Sequence, residues 1–532
     1  MIIGRIVVAL ALVSLAGTNG AWAATPLIDA VKSGNQRDIA ELLERGADVN
    51  GAEADGTTPL MWAAYEGNAA LVAMLLEAGA DVAAANGYGA TAMAEAAIAG
   101  DAAIIELLLE AGADANSANP EGETALMSVA RTGNLEAAKL LLEAGADVNA
   151  TEAWGGQSAL MWAAAQMQPE MIALLLEAGA DANARGAVRN WQRRITAEGR
   201  PKDMNHGGFT PLLYAARGGC LECVERLLAG GADIDLPDPE AVTPLILAIT
   251  AFQFDVADHL VEAGADLDRW DLFGRTALYA AVDMNTIPSP DRPGMASFAG
   301  RALIAKLLDR GANPNTQLKL RRPEFRNAIG ERGADNSLAT GATPLLRAAH
   351  AADVQTIEAL LAHGAIVDLP NATGLTPFMA AAGLGVSPRS NKARYATADD
   401  RLRAVQLLHA AGADIHRSIA DNRRLEKEPP RDLGGPVRYH SVHIPTDGQT
   451  AIFGAARHGH NEIIKFLVAN GARIDIVDAK GATAFDMAMA RYEPVPLDPP
   501  QSARPETVAL LTELCAAQQS CKVPAQAVAA VR

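Results

Sequence analysis

Apolar and polar positions along the chain fall into a unit that returns about every 33 residues. In its cleanest copy, Thr58-Pro59-Leu60-Met61-Trp62-Ala63-Ala64 opens an apolar segment and Gly67 interrupts it. A second apolar segment then runs to Leu75-Leu76-Glu77 and stops at Gly79-Ala80-Asp81. The Thr58 hydroxyl is suited to accept an orphan amide at a helix start, and Pro59 gives up an amide that would have had no partner there. The pattern predicts a short helix from Pro59 to Gly67, a second helix to Glu77, and a C-terminal cap at Gly79. The residues after Asp81 form a turn that leads to the next start.

Gly-Ala recurs at Gly46, Gly79, Gly112, Gly145, Gly179, Gly231, Gly264, Gly311, Gly364, Gly412 and Gly471, the first five spaced by 33 or 34 residues. Helix starts fall at Thr25, Thr58, Thr91, Thr124, Ser158, Thr210, Thr243, Thr276, Thr343, Thr376, Thr450 and Thr483. A fixed period of this size marks stacked units, each too small to bury its own apolar face. The expected fold is therefore an all-α solenoid of about 12 helix-turn-helix units.

The unit resembles the ankyrin repeat, a β-turn finger followed by two antiparallel helices, and the chain resembles exported bacterial proteins of that family. Ankyrin repeats often carry a histidine three residues after the starting threonine, where it bonds between repeats. Here that position holds Met61, Met127, Met161, Leu213 or Tyr279 and no histidine, so that bond is not expected. The resemblance implies repeats 1–5 over 24–184, 6–8 over 210–315, 9 and 10 over 342–416, and an eleventh with a degenerate cap over 448–532. Basic insertions lie between them at 185–209, 316–341 and 417–447, and another at 385–403 separates the two helices of the tenth repeat.

Arg5, the apolar run Ile6–Leu15 and Ala21-Trp22-Ala23 read as a signal peptide, 1–23, cut after Ala23. The expectation is a periplasmic or secreted protein with no transmembrane segment in the mature chain. Export places the four cysteines in an oxidising setting. Cys515 and Cys521 are spaced to staple the C-terminal end, and Cys220 and Cys223 form a Cys-x-x-Cys at a helix start. That second pair reads either as a local disulfide or as redox-active thiols.

Composition, 49% hydrophobic but 4% aromatic, suits helices packed closely through Ala and Leu. Charge is unevenly spread. The chain carries a net −18, yet the four insertions hold 22 Lys and Arg against 12 Asp and Glu, so basic loops are mounted on an acidic frame. They widen the Gly-Ala spacing to 52, 53, 48 and 59 residues. Trp191, Arg193 and Arg194 in the first, and Arg321, Arg322 and Phe325 in the second, interleave arginine with an aromatic, the residue types that often carry interface energy.

The register also predicts which side chains of each first helix face a concave groove, namely the fourth and seventh residues after the start. These include Trp62 and Tyr65, Arg131, Trp162, Tyr214 and Arg217, Arg347 and His350, and Arg457. Together with the insertion residues they form the expected surface for a protein partner. His440, His443, His458 and His460 have spacings that could ligate a metal, although His460 occupies a position that is structural in many ankyrin repeats. The sequence has no hydrolase, phosphate-loop or dinucleotide motif, no cofactor signature and no nucleic-acid module. Two functions follow: a non-enzymatic scaffold that binds a protein, or a redox or metal-handling protein using Cys220 and Cys223 or the histidines from His440 to His460.

Overall fold

A computed structural model describes residues 26–188, 207–286, 296–319, 340–386, 396–419, 447–491, 503–518 and 521–527, with no account of the side chains of 296–299. Residues 1–23, read above as a signal peptide, and the central parts of the insertions lie outside these residues. The chain is an all-α repeat protein whose helices come in pairs, and its described residues divide into two compact units, Met1–Glu152 and Ala153–Arg532. Among the described residues no helix is long and apolar enough to cross a membrane.

The first unit contains four repeats. In the second of them, the inner helix Pro59–Tyr65 begins where Thr58 Oγ1 accepts the Met61 amide at 3.3 Å. The outer helix Ala69–Glu77 begins where Asn68 Oδ1 accepts the Leu71 amide at 3.1 Å. Its end is a Schellman cap: Gly79 has φ +88°, its amide bonds Leu76 O, and the Ala80 amide bonds Leu75 O. Leu60, Met61, Ala63, Ala64, Leu71, Val72 and Leu75 are almost wholly buried, so each helix pair contributes one face to a shared core. The other three pairs are Pro26–Ser33 with Gln36–Glu44, Ala92–Ala99 with Ala102–Glu110, and Ala125–Thr132 with Leu135–Glu143.

The second unit repeats this plan from Ala159–Ala165 with Pro169–Glu177 through Ala484–Ala488 with Pro505–Ala517. Its last helix carries Cys515, fully buried and disulfide-bonded to Cys521. The tenth repeat differs from the sequence expectation. Its outer helix begins at Ala398, because Thr397 and Asp400 form a capping box that starts the helix early. Arg401 and Arg403 are therefore helical residues and not part of a loop.

The finger insertions leave and re-enter the fold through paired stems. Gly186 bonds Phe209 O, Leu318 bonds Ala342 O, and Ile419 bonds Gln449 O, at 2.9 to 3.0 Å. Repeats are joined without the family histidine. The fourth residue after Gly46 and Gly112 reaches the next repeat instead: Asn50 Oδ1 accepts the Asp81 amide at 2.7 Å and Asn116 that of Asp147 at 2.7 Å. In the second unit Asn183, Asp235, Asp268, Asn315 and Asp368 do the same. Asn183 also donates to Gly231 O at 3.0 Å. Asn183→Ala is expected to cost about 1 kcal/mol, read as a lower denaturant midpoint, while Asn183→Asp, which keeps the acceptor, should recover part of it.

Candidate functional site

In the first unit the expected groove residues begin with Trp62, which is half-buried and held in place. Its indole N–H donates to Glu53 Oε2 at 2.9 Å, and Lys32, paired with Glu53 Oε1 at 2.6 Å, stands 4.2 Å from the ring centroid. Tyr65 meets Trp62 edge-on at 5.8 Å and is 61% exposed. Arg131 is exposed on the inner helix Ala125–Thr132. The finger tip adds Tyr88, 74% exposed, between two turns of chain fixed by Asn86 Oδ1, which accepts the Tyr88 and Ala90 amides.

The second unit gathers a tighter group. Phe209 and Tyr214 pack edge-to-face at 5.3 Å, and the exposed Arg217 lies 5.1 Å from the Phe209 ring and 5.4 Å from the Tyr214 ring. The Tyr214 hydroxyl accepts from Gln157 Nε2, and Trp162 is half-buried on the inner helix Ala159–Ala165. Arg217 follows Tyr214 by three positions, which places both on one helix face. A guanidinium held over ring faces keeps N–H donors for a partner carboxylate. Finger residues Trp154, Trp270 and Leu272 are 64%, 52% and 51% exposed, and Lys319 Nζ stands 3.4 Å from the Trp270 ring centroid.

Three expected groove residues are not at the surface. Arg347 and His350 are fully buried, and Arg347 Nε donates to Asp283 Oδ1 at 2.6 Å, joining the inner helices Pro344–Ala351 and Ala277–Asn285. Arg457 is 9% exposed, and its backbone oxygen accepts Arg504 Nε at 2.9 Å. Beside it, a Cβ on Gly454 would stand 2.6 Å from the Gly383 carbonyl carbon, so this inner helix presses directly on the tenth repeat. In these repeats the groove register is used for packing. Trp191, Arg193, Arg194, Arg321, Arg322 and Phe325 lie outside the described residues.

Cys220 caps the outer helix Leu221–Ala229 and forms a disulfide with Cys223, which has no solvent exposure. His440 and His443 also lie outside the described residues, while His458 and His460 stack with centroids 5.7 Å apart. Among the described residues no group of three or more His, Cys, Asp or Glu is placed to hold a metal ion. Asp235 and Asp238, whose carboxyls burial pushes up, serve backbone amides: Asp235 accepts from Asp266, and Asp238 from Glu240 and Val242.

Sequence comparison adds to this geometry. A family model described as ankyrin repeats in three copies matches residues 5–86, 93–186, 193–271 and 212–289, and a single ankyrin-repeat model matches 340–372 and 447–479. No curated protein matches the chain.

Proposed function

The chain belongs to the ankyrin-repeat family, and from that premise we propose that it is an exported scaffold that holds a protein partner on the aromatic and arginine face of its inner helices and fingers. Ankyrin repeats are protein-interaction modules, and this one is read as a binding protein with no catalytic role. The observation that carries the location is the Phe209, Tyr214 and Arg217 group, in which a cation lying over two rings is offered to solvent. Tyr, Trp and Arg are the residues that most often dominate interface energies, because they combine large apolar area with directional polar groups. Trp162 and the exposed Trp270 extend the same chemistry within the second unit. The basic insertions are proposed to add contacts to an acidic partner surface.

Export is supported by the leader pattern and by the pairing of all four cysteines as Cys220–Cys223 and Cys515–Cys521, which suits an oxidising compartment. Dithiol chemistry at Cys220 and Cys223 has less support, since the Cys223 sulfur is enclosed by the core. Binding is tested by capture from a native extract without reductant. Arg217→Ala should weaken capture by about tenfold or more while leaving the melting curve unchanged, because Arg217 is exposed. Equal capture by wild type, Arg217→Ala and Trp162→Ala would place the interface elsewhere.

A further inference from the structure

Where the tenth and eleventh repeats meet, basic side chains collect around Arg401, which has no acid partner among the described residues. The turn after the inner helix Pro377–Ala381 approaches two imidazoles: a Cβ on Gly383 would lie 3.0 Å from His458 Cδ2 and 3.5 Å from His460 Cδ2. Arginines reach this stack from two other elements and from the helix of His458 itself. Arg401 comes from the first turns of Ala398–Ala410, Arg457 from the end of Ala451–His458, and Arg504 from the start of Pro505–Ala517. Arg401 is 7% exposed, and its Nη1 and the Nε2 of His458 are both shut off from solvent with no hydrogen-bond partner.

The acids on the neighbouring elements are occupied or turned outward. Asp400 accepts from the Thr397 hydroxyl and amide, Glu462 pairs with Lys465, Asp486 accepts from Thr483, and Asp399 and Glu506 are exposed. Burial first, then His460 and the surrounding arginines, hold His458 well below the ordinary histidine range, and burial with Arg401 and Arg504 brings His460 down to about 4. A guanidinium cannot escape burial by losing its proton, and a buried unpaired charge costs several kcal/mol. A bound counter-ion would offset that cost.

We propose that Arg401, His458, His460 and Arg504 form a binding site for a divalent oxyanion of the phosphate class. Several cations call for more than one negative charge. Donors that arrive from separate helices suit a tetrahedral ion, whereas a carboxylate is best met by two parallel donors of one guanidinium. Arg401 Nη1 and His458 Nε2 are the inner donors, and bound anion would draw a proton onto the imidazoles that the arginines now repel.

The test uses the full-length protein with inorganic phosphate, a small phosphomonoester, acetate and sodium chloride at one ionic strength. Phosphate or the monoester should raise the melting temperature saturably and move the His460 titration up by about one unit or more in the histidine NMR spectrum. Binding by the inorganic ion alone marks a closed site, and binding by both marks one open to a phosphoryl group on a larger molecule. Arg401→Gln should weaken the response at least about tenfold, and Arg403→Gln, on an exposed residue paired with Glu358, should leave it unchanged. If Arg401→Gln fails to fold, saturation and the imidazole shift in the wild type still decide. A response no larger than that to sodium chloride, or one matched by acetate, overturns the proposal.

Discussion

Replacing Arg347 by Ala is expected to destabilise the second unit by about 3–5 kcal/mol, the range for breaking one side of a buried ion pair. Both side chains of the Arg347–Asp283 pair are 2% exposed or less, and the Nε to Oδ1 distance is 2.6 Å. Removing the guanidinium takes a charge partner from the enclosed Asp283 carboxylate, and it opens a void the size of a long side chain. Removing both charges is a different experiment. Arg347→Met combined with Asp283→Leu keeps the volume and lifts the desolvation cost from both, so it should be close to neutral. Denaturant unfolding followed by circular dichroism distinguishes the two. A loss below about 1 kcal/mol for Arg347→Ala would mean that the pair is hydrated in solution.

Acid is expected to loosen the last repeats before it reaches the carboxyls that partners hold low. His460 titrates at about 4 in the folded chain against an ordinary 6.5, and His458 is shifted in the same direction. The unfolded chain therefore binds more protons between these values. The stability linked to neutral His460 is complete above about pH 6.5 and falls as the pH drops toward 4, by about 3 kcal/mol over the whole window. Carboxyls held low by partners, such as Asp400 and Asp475, lose their contribution only at lower pH. Asp235 and Asp238, raised by burial, act in the opposite sense and gain stability as they take up protons. Comparing the wild type with His458→Gln and His460→Asn isolates the imidazoles: the slope of unfolding free energy between about pH 6.5 and pH 5 should flatten in the variants. An unchanged slope would show that the histidines are hydrated.

The repeat was legible because its signals are local. Each Thr cap, Pro at the first helical position and Gly-Ala stop acts within a few residues, and Thr58, Pro59 and Gly79 do in the fold what their chemistry predicts. The ladder from Asn50 to Asp368 also had a signal, an Asn or Asp four residues after most of the glycines, but a position that joins repeats shows its role only when two repeats stand side by side. The early start of Ala398–Ala410 was also written in sequence, as the Thr397 and Asp400 capping box.

The groove was harder to read for a physical reason. Arg347 and Tyr214 occupy the same place in the register, yet Arg347 meets Asp283, which lies 64 residues earlier across an insertion, whereas Tyr214 meets Phe209 and Arg217 next to it. A register rule cannot see a charge that arrives from so far along the chain. The same rule considered inner helices only, and so it passed over Tyr88, Trp154 and Trp270, which protrude from the fingers. Their signal was the aromatic residue itself, placed beside a turn in an otherwise aromatic-poor chain.

A protein partner is expected on the face carrying Phe209, Tyr214 and Arg217. Site-specific photo-crosslinking tests it most directly, with a photoreactive residue placed at Arg217 or, on the outer helix Leu221–Ala229 of the same repeat, at the exposed Glu225. One discrete adduct from Arg217, abolished by Tyr214→Ala and absent from Glu225, is the predicted result. An adduct from Glu225 that equals or exceeds the one from Arg217 would contradict it.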